Sequence, residues 1–145
     1  MILDEQNLFS DAQAVTVQAV STNSVDLGLA GQNIGVGEVL YLVVSVETAL
    51  TNGGAGTTVD FELVNATNAA LTAGLVVIQT MGSVISTAAA GTRVVVKLPP
   101  DGVTLRYLGV RYTPNGAALT GGAFDAFLTK DIAAFTAYAD NITIT

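Results

Sequence analysis

Apolar and polar residues alternate along several short stretches of the chain. The clearest are residues 39–47 (VLYLVVSVE), 58–64 (TVDFELV) and 92–98 (TRVVVKL). Period-two alternation places one side of each stretch on a core and leaves the other side in water, which is typical of half-exposed β-strands. The pattern therefore predicts three strands at these positions.

Further apolar runs are shorter and less regular, and residues that favour turns separate them. We expect additional strands in five places: residues 14–20, 24–29, 75–80, 103–113 and 123–129. The breaks include Pro99-Pro-Asp-Gly102 and Pro114-Asn-Gly116, which supply the backbone angles that tight turns need. About eight short strands predict an all-β fold, an antiparallel two-sheet sandwich or a barrel. Eight strands in two sheets is the number found in a jelly roll, but the count alone does not fix the topology. Gly109 is expected to mark a bulge that switches the face of its strand.

The length of 145 residues suits one domain with a single core. We expect an N-terminal arm over residues 1–12, the sandwich over residues 13–130 and a C-terminal segment over residues 131–145. Residues 131–139 are compatible with one or two helical turns or with an extended tail. Both ends carry apolar side chains, and such tails usually dock on something. These residues are Ile2, Leu3, Leu8, Phe9, Phe135, Tyr138, Ile142 and Ile144.

Composition removes most catalytic and metal chemistry. The chain has no cysteine and no histidine, which excludes thiolate nucleophiles, Ser-His-Asp triads and Cys/His zinc sites. Asp60 and Glu62 place two carboxylates on one side of a strand, but no third acid or EF-hand spacing accompanies them. We therefore expect no enzyme activity, no metal and no cofactor, and carboxylate-only catalysis is the weakest of the hypotheses.

Charge is low and unevenly distributed. The net charge is -7, so neither nucleic acid nor an anionic membrane is an expected partner. All five cations lie between residues 93 and 130, which predicts an acidic surface and a weakly basic one or, more simply, ordinary solvated faces. Residues 63–92 carry no charge, yet polar residues and three glycines interrupt them, so we do not expect a membrane span. The first residues do not resemble a signal peptide.

One cluster has the composition of an interaction hot spot. Arg106, Tyr107, Arg111 and Tyr112 fall on one predicted strand, and tyrosine and arginine dominate the energetics of protein interfaces. Core tyrosines with satisfied hydroxyls are an equally good interpretation. Stacking on sugars by Tyr41, Tyr107 or Tyr112 is a further alternative.

The chain resembles the small jelly-roll capsid cement (decoration) proteins of tailed bacteriophages, of the podovirus type. Two of the matching stretches lie near the N-terminus and two near the C-terminus, with others between them. They are Met1-Ile-Leu-Asp4 with residues 8–14, Ser21-Thr22 before residues 25–28, Gly35-Val-Gly-Glu38 before residues 40–46, and residues 107–112 closing into residues 121–131.

The resemblance implies a virion structural protein that binds the outer capsid surface where major capsid subunits meet, and that stabilises the shell. It further implies assembly in the host cytoplasm and self-association, with a dimer favoured and a trimer possible. The arms and the arginine-tyrosine cluster are the expected contacts: Ile2, Leu3, Leu8, Phe9, Arg106, Arg111, Tyr112, Phe135 and Tyr138. A carbohydrate-binding jelly-roll module is the alternative.

Overall fold

A computed structural model describes residues 5–30, 34, 37–52, 54–99 and 102–132 of the chain. Within these residues the chain forms nine β-strands. A short 3-10 helix, Glu5–Asn7, precedes them. The strands are β1 (Leu8–Ala14), β2 (Ala19–Val20), β3 (Val25–Asp26), β4 (Tyr41–Asn52), β5 (Thr58–Ala66), β6 (Val76–Ile85), β7 (Arg93–Lys97), β8 (Tyr107–Asn115) and β9 (Leu119–Thr129).

The strands build two antiparallel sheets packed face to face. The first sheet has the order β1-β9-β4-β7. The second has the order β2-β8-β5-β6, and β3 pairs with β8 beside β2. The predicted all-β sandwich is confirmed, and its architecture is consistent with a jelly roll. No helix within the described residues is long and apolar enough to cross a membrane, and the charge-free residues 63–92 form strands and loops instead.

The predicted N-terminal arm needs correction. Residues 8–12 do not lie outside the strand array, because they belong to β1, which pairs with β9 from Leu8↔Phe127 to Ala14↔Ala123. Two register shifts interrupt this pairing, and Ala12 has a φ of 45°. These irregularities break the alternation that would reveal a strand in the sequence. Residues 1–4 and 133–145, the outer parts of both predicted arms, lie outside the described residues.

Three aromatic rings form the centre of the core between the sheets. Phe61 meets Tyr112 and Phe124 edge to face, with ring centroids 5.9 and 5.3 Å apart, and Tyr112 stacks on Phe124 at 5.3 Å. Such pairs contribute about 0.5–1.5 kcal/mol each beyond the burial of their area. Because Phe61 and Tyr112 belong to the second sheet and Phe124 to the first, this cluster joins the two layers.

The outer face of the second sheet is partly covered by the loop of residues 67–74. Leu71 is buried at 2% exposure on this face, and a Cβ at Gly109 would overlap Leu71 Cδ1. Asn68 Oδ1 holds the loop by accepting hydrogen bonds from the N–H groups of Thr72 and Ala73, both at 3.0 Å. Gly109 therefore makes room for a side chain from above the sheet. β8 pairs with β5 without a register shift, so the expected bulge is wrong.

Candidate interaction surface

Two of the residues predicted to contact a partner lie inside the protein. Phe9 and Tyr112 are both 0% exposed, because Phe9 packs in the core from β1 and Tyr112 belongs to the aromatic cluster. The prediction that they form an interface is therefore corrected: each stabilises the fold of its own chain. Leu8 is half-buried beside Phe127. Ile2, Leu3, Phe135 and Tyr138 lie outside the described residues.

The Tyr112 hydroxyl joins the two sheets at the β1 and β2 edges of the sandwich. It lies 2.8 Å from Ser10 Oγ, which donates to Gln13 Oε1 at 2.7 Å. Gln13 Nε2 then donates to the Val20 carbonyl at 2.8 Å. Burial raises the pKa of Tyr112 well above its usual range, so the hydroxyl stays neutral. We call these contacts the Tyr112–Ser10–Gln13 relay. It gives the buried hydroxyl a hydrogen-bond partner, which supports the interpretation of Tyr112 as a core tyrosine.

The two predicted arginines are engaged in ion pairs within their own sheet. Arg106 Nε and Nη2 donate to the two Asp26 carboxylate oxygens, each at 2.7 Å, and the hydrogen bond from Arg106, with that from the Gly28 N–H, lowers the pKa of Asp26 to about 2. Arg111 Nε donates to Glu62 Oε2 at 2.6 Å. Arg106 is about half exposed and Arg111 is a quarter exposed. Arg106 is thus the more accessible of the two to a partner.

The residues behind the other hypotheses are also engaged. Asp60 and Glu62 do share the outer side of β5, but Asp60 accepts from Asn115 Nδ2 at 2.6 Å and Glu62 pairs with Arg111. Of the three tyrosines considered for sugar stacking, Tyr112 is buried. The Arg106 guanidinium carbon lies 5.1 Å from the centre of the Tyr107 ring and occupies one of its faces. The structure thus excludes Tyr112 from sugar stacking and places Arg106 over one face of Tyr107, while Tyr41 is half-buried on β4.

A charge-free edge is the most distinctive surface of the described residues. We use this name for β6 and the turn that follows it, residues 76–92. Strand β6 is the last strand of the second sheet and has ten residues, none of them charged. Val76, Val77 and Ile85 are exposed by 47, 38 and 63%. Edge strands normally carry charges that discourage pairing with other chains, so an uncharged apolar edge is typical of a contact surface.

Strand β6 is not flat, which limits uncontrolled pairing. Its pairing with β5 shifts register at Phe61/Glu62 and again at Leu63/Val64. Gly82 has a φ of 130°, and a Cβ there would lie 3.6 Å from Val94 Cγ1 of β7. The edges of the two sheets therefore approach each other at this point. The exposed apolar side chains therefore lie on a strand whose bulges disfavour edge-to-edge pairing with other chains.

Charges are separated across the outer face of the first sheet. Asp125 on β9 lies near Asp11 and Glu47, while β7 at the other edge carries the exposed Arg93 and Lys97. Burial raises the pKa of the Asp125 carboxyl, the hydrogen bond from the Ala12 N–H at 2.7 Å lowers it, and Glu47 and Asp11 raise it further. Among the described residues, no group of three or more acidic side chains is arranged to hold a metal.

The candidate residues are thus not brought to one surface. The buried Phe9 and half-buried Leu8 come from the first sheet, and the arginines lie on the second. The charge-free edge was not among the residues predicted to contact a partner. The sequence does contain a signal for it, because the thirty consecutive residues 63–92 carry no charge. Polar residues within that run argue against a membrane span, and only the strand pairing shows that part of it forms the edge of a sheet.

Comparison with known proteins gives one family. The family model Bbp16 matches residues 9–128, which is most of the chain and extends from β1 to the penultimate residue of β9. No curated protein matches the sequence. The matched range begins at Phe9, inside β1. This is the strand that the alternation of apolar and polar residues does not predict.

Proposed function

This chain belongs to the Bbp16 family, and from that premise we propose that it is a virion structural protein that binds the outer surface of a phage capsid and stabilises the shell. The family name suggests a phage-related protein, and the resemblance to capsid cement proteins supplies the finer role. The contacts would lie at junctions between major capsid subunits. The protein would self-associate, as a dimer or a trimer, and would join the shell in the host cytoplasm.

The observation that carries the proposal is the charge-free edge. The cores of protein interfaces are depleted of charged residues, because an unpaired charge is costly to remove from water. On a chain of net charge -7, strand β6 offers ten uncharged residues, including three exposed large apolar side chains. A partner can therefore cover this part of the described surface at a low desolvation cost.

The remaining features suit a clamp. The ion pairs Arg106–Asp26 and Arg111–Glu62 neutralise four charges of the second sheet within the chain. Buried aromatic rings and the Tyr112–Ser10–Gln13 relay make the sandwich a rigid body. Many copies of such a body, each spanning two capsid subunits, stabilise a shell through effective concentration even when a single contact is weak. Binding only the assembled shell also shifts the assembly equilibrium by mass action.

The experiment compares two double variants of equal net charge. Val77→Lys with Ile85→Lys adds two cations to the charge-free edge, and Val17→Lys with Leu29→Lys adds two cations at other exposed sites. All four positions are exposed, Val17 and Leu29 by 62 and 68% and Val77 and Ile85 by 38 and 63%, so both double variants are expected to fold. Binding to capsids assembled without this protein is measured by co-sedimentation.

We expect the edge variant to lose binding by about tenfold or more, which corresponds to about 1.4 kcal/mol, because each lysine leaves an unpaired charge in the interface. The control variant should bind like the unchanged protein. Equal binding of the edge variant and the unchanged protein would contradict the assignment of this surface. Binding of the unchanged protein to a glycan array, with none to capsids, would favour the sugar-binding module.

A further inference from the structure

An apolar row crosses the outer face of the first sheet. The register places Leu8, Phe127, Val43 and Val95 side by side, one from each strand. The neighbours of Val43 along β4, Leu42 and Val44, belong to the core between the sheets, so Val43 faces away from it. The same holds for Phe127, which lies between the core residues Ala126 and Leu128 of β9. This row is called the outer apolar row below.

The middle of the outer apolar row is buried although it faces away from the core. Val43 is 0% exposed and Phe127 is 4% exposed, while Val95 at the β7 end is 37% exposed. Side chains on the open face of a sheet retain solvent contact unless another part of the chain lies over them. The second sheet shows the same relation, because Val64, 0% exposed on its outer face, is paired with Gly109, over which Leu71 packs.

We propose that the C-terminal segment, residues 133–145, docks on the outer apolar row and covers Val43 and Phe127. Strand β9 ends at Thr129, which pairs with Tyr41, only two residues along the strand from the Val43↔Phe127 pair. The chain therefore leaves the sheet beside this row. Thr129 Oγ1 accepts a hydrogen bond from the Asp131 N–H at 3.2 Å, so the backbone bends directly after the strand.

The length and composition of the segment fit this occupant. Thirteen residues can span about 43–47 Å when extended, whereas the four strands lie across about 14 Å. The segment is rich in apolar side chains that would contact the row: Phe135, Tyr138, Ile142 and Ile144.

This docking is independent of capsid binding, and it changes the role expected for the C-terminal segment. Phe135 and Tyr138 would contact their own domain and not the capsid. The polar row beside the outer apolar row, Asp125 with Ser45 and Arg93, would border the segment along its length. The first sheet's outer face would then be covered, and the charge-free edge of the second sheet would remain the accessible apolar surface.

Thiol labelling of the full chain tests the proposal, since the protein has no cysteine and an introduced one is a unique probe. Val43→Cys reports the outer apolar row. Val44→Cys, on the core side of the same strand, is the buried control, and Ile85→Cys is the exposed control. Each is labelled with a maleimide in two backgrounds: the unchanged chain, and a chain with Phe135→Ser and Tyr138→Ser.

We expect Val43→Cys to react as slowly as Val44→Cys in the unchanged chain, and about tenfold faster or more when the two aromatic rings are replaced, because access then needs no local opening. Val44→Cys should stay slow in both backgrounds and Ile85→Cys fast in both. Rapid labelling of Val43→Cys in the unchanged chain would overturn the proposal, and so would equally slow labelling in both backgrounds.

A second measurement needs no substitution and covers the case in which the double serine variant unfolds, which fast labelling of Val44→Cys would reveal. In the unchanged, isotope-labelled protein, nuclear Overhauser cross-peaks are recorded between the Val43 methyl groups and aromatic protons. Cross-peaks to the ring of Phe135 or Tyr138 are the expected result. Cross-peaks that connect Val43 only to residues before position 133 would overturn the proposal.

Discussion

Replacing Gly109 with alanine should force the Leu71 loop away from the second sheet. A Cβ at position 109 would overlap Leu71 Cδ1 and lie 3.0 Å from Ser21 Oγ, which accepts a hydrogen bond from the Val110 N–H at 3.1 Å. Gly109 is not among the glycines with a positive φ, so the backbone itself accepts alanine. The cost is steric, and overpacking of this kind destabilises a protein by about 1–3 kcal/mol.

The size of the effect is measured by urea unfolding of four proteins: the unchanged chain, Gly109→Ala, Leu71→Ala and the double variant. Leu71→Ala alone should cost about 2–5 kcal/mol, because it removes a side chain that is 2% exposed. In the double variant the new methyl group occupies space that Leu71 has vacated. The combined cost should therefore be about 1–2 kcal/mol smaller than the sum of the two single costs.

Additive costs, within about 0.5 kcal/mol, would refute this reasoning, because they would show that the two positions do not share space. Gly54→Ala is the control, since its Cβ would lie 3.3 Å from Ala117 Cβ, a contact that a small shift relieves. It should lower the free energy of unfolding by less than Gly109→Ala does. A larger loss at position 54 than at position 109 would contradict the ranking by steric overlap.

Two further predictions concern polar groups that the fold buries. Tyr112→Phe removes the hydroxyl that contacts Ser10 Oγ and should lower the free energy of unfolding by about 1 kcal/mol. Tyr107→Phe is the control and should change this free energy less. Equal losses for the two variants in urea unfolding would contradict the proposed stabilisation by the relay. Asp125→Asn should gain stability relative to the unchanged chain as pH rises. Because burial raises the pKa of Asp125 above 3.8, the folded state binds this proton more tightly than the unfolded chain, and stability falls as pH rises from 3.8 through the raised pKa. The unfolding free energy of Asp125→Asn minus that of the unchanged chain should therefore rise between about pH 3 and pH 7. A signed difference that stays constant or falls over this range would contradict the assignment.

The strands with one wet face were predictable, because burial on one side alone produces strict alternation. Residues 58–64 and 92–98 fall on β5 and β7 almost to the residue. Strand β1 was missed because its two register shifts and the positive φ of Ala12 destroy the period of two. In residues 14–20 the sequence favours one strand, but Ala14 ends β1 and Ala19–Val20 forms the separate strand β2, since Val15 turns into the core between them.

Contacts between residues far apart in the chain explain why the candidate surface was harder to predict. Tyr112 is of a residue type that is common in hot spots, and only its packing against Phe61 and Phe124 identifies it as a core residue. Its hydroxyl contact with Ser10 also joins residues that are 102 positions apart. Arg106 and Arg111 look available until Asp26 and Glu62 are placed opposite them. The charge-free run was visible in the sequence, but its meaning depends on β6 being the last strand of its sheet, which pairing alone determines.

The most direct test of the proposed function is the composition of phage particles. Virions of a phage that encodes this chain are purified on a density gradient, and the ratio of the 14.7 kDa chain to the major capsid protein is measured across the particle peak. A constant ratio, near one copy per capsid subunit or a simple fraction of it, is the predicted result. Particles of normal composition that lack the chain would contradict the proposed role in the capsid.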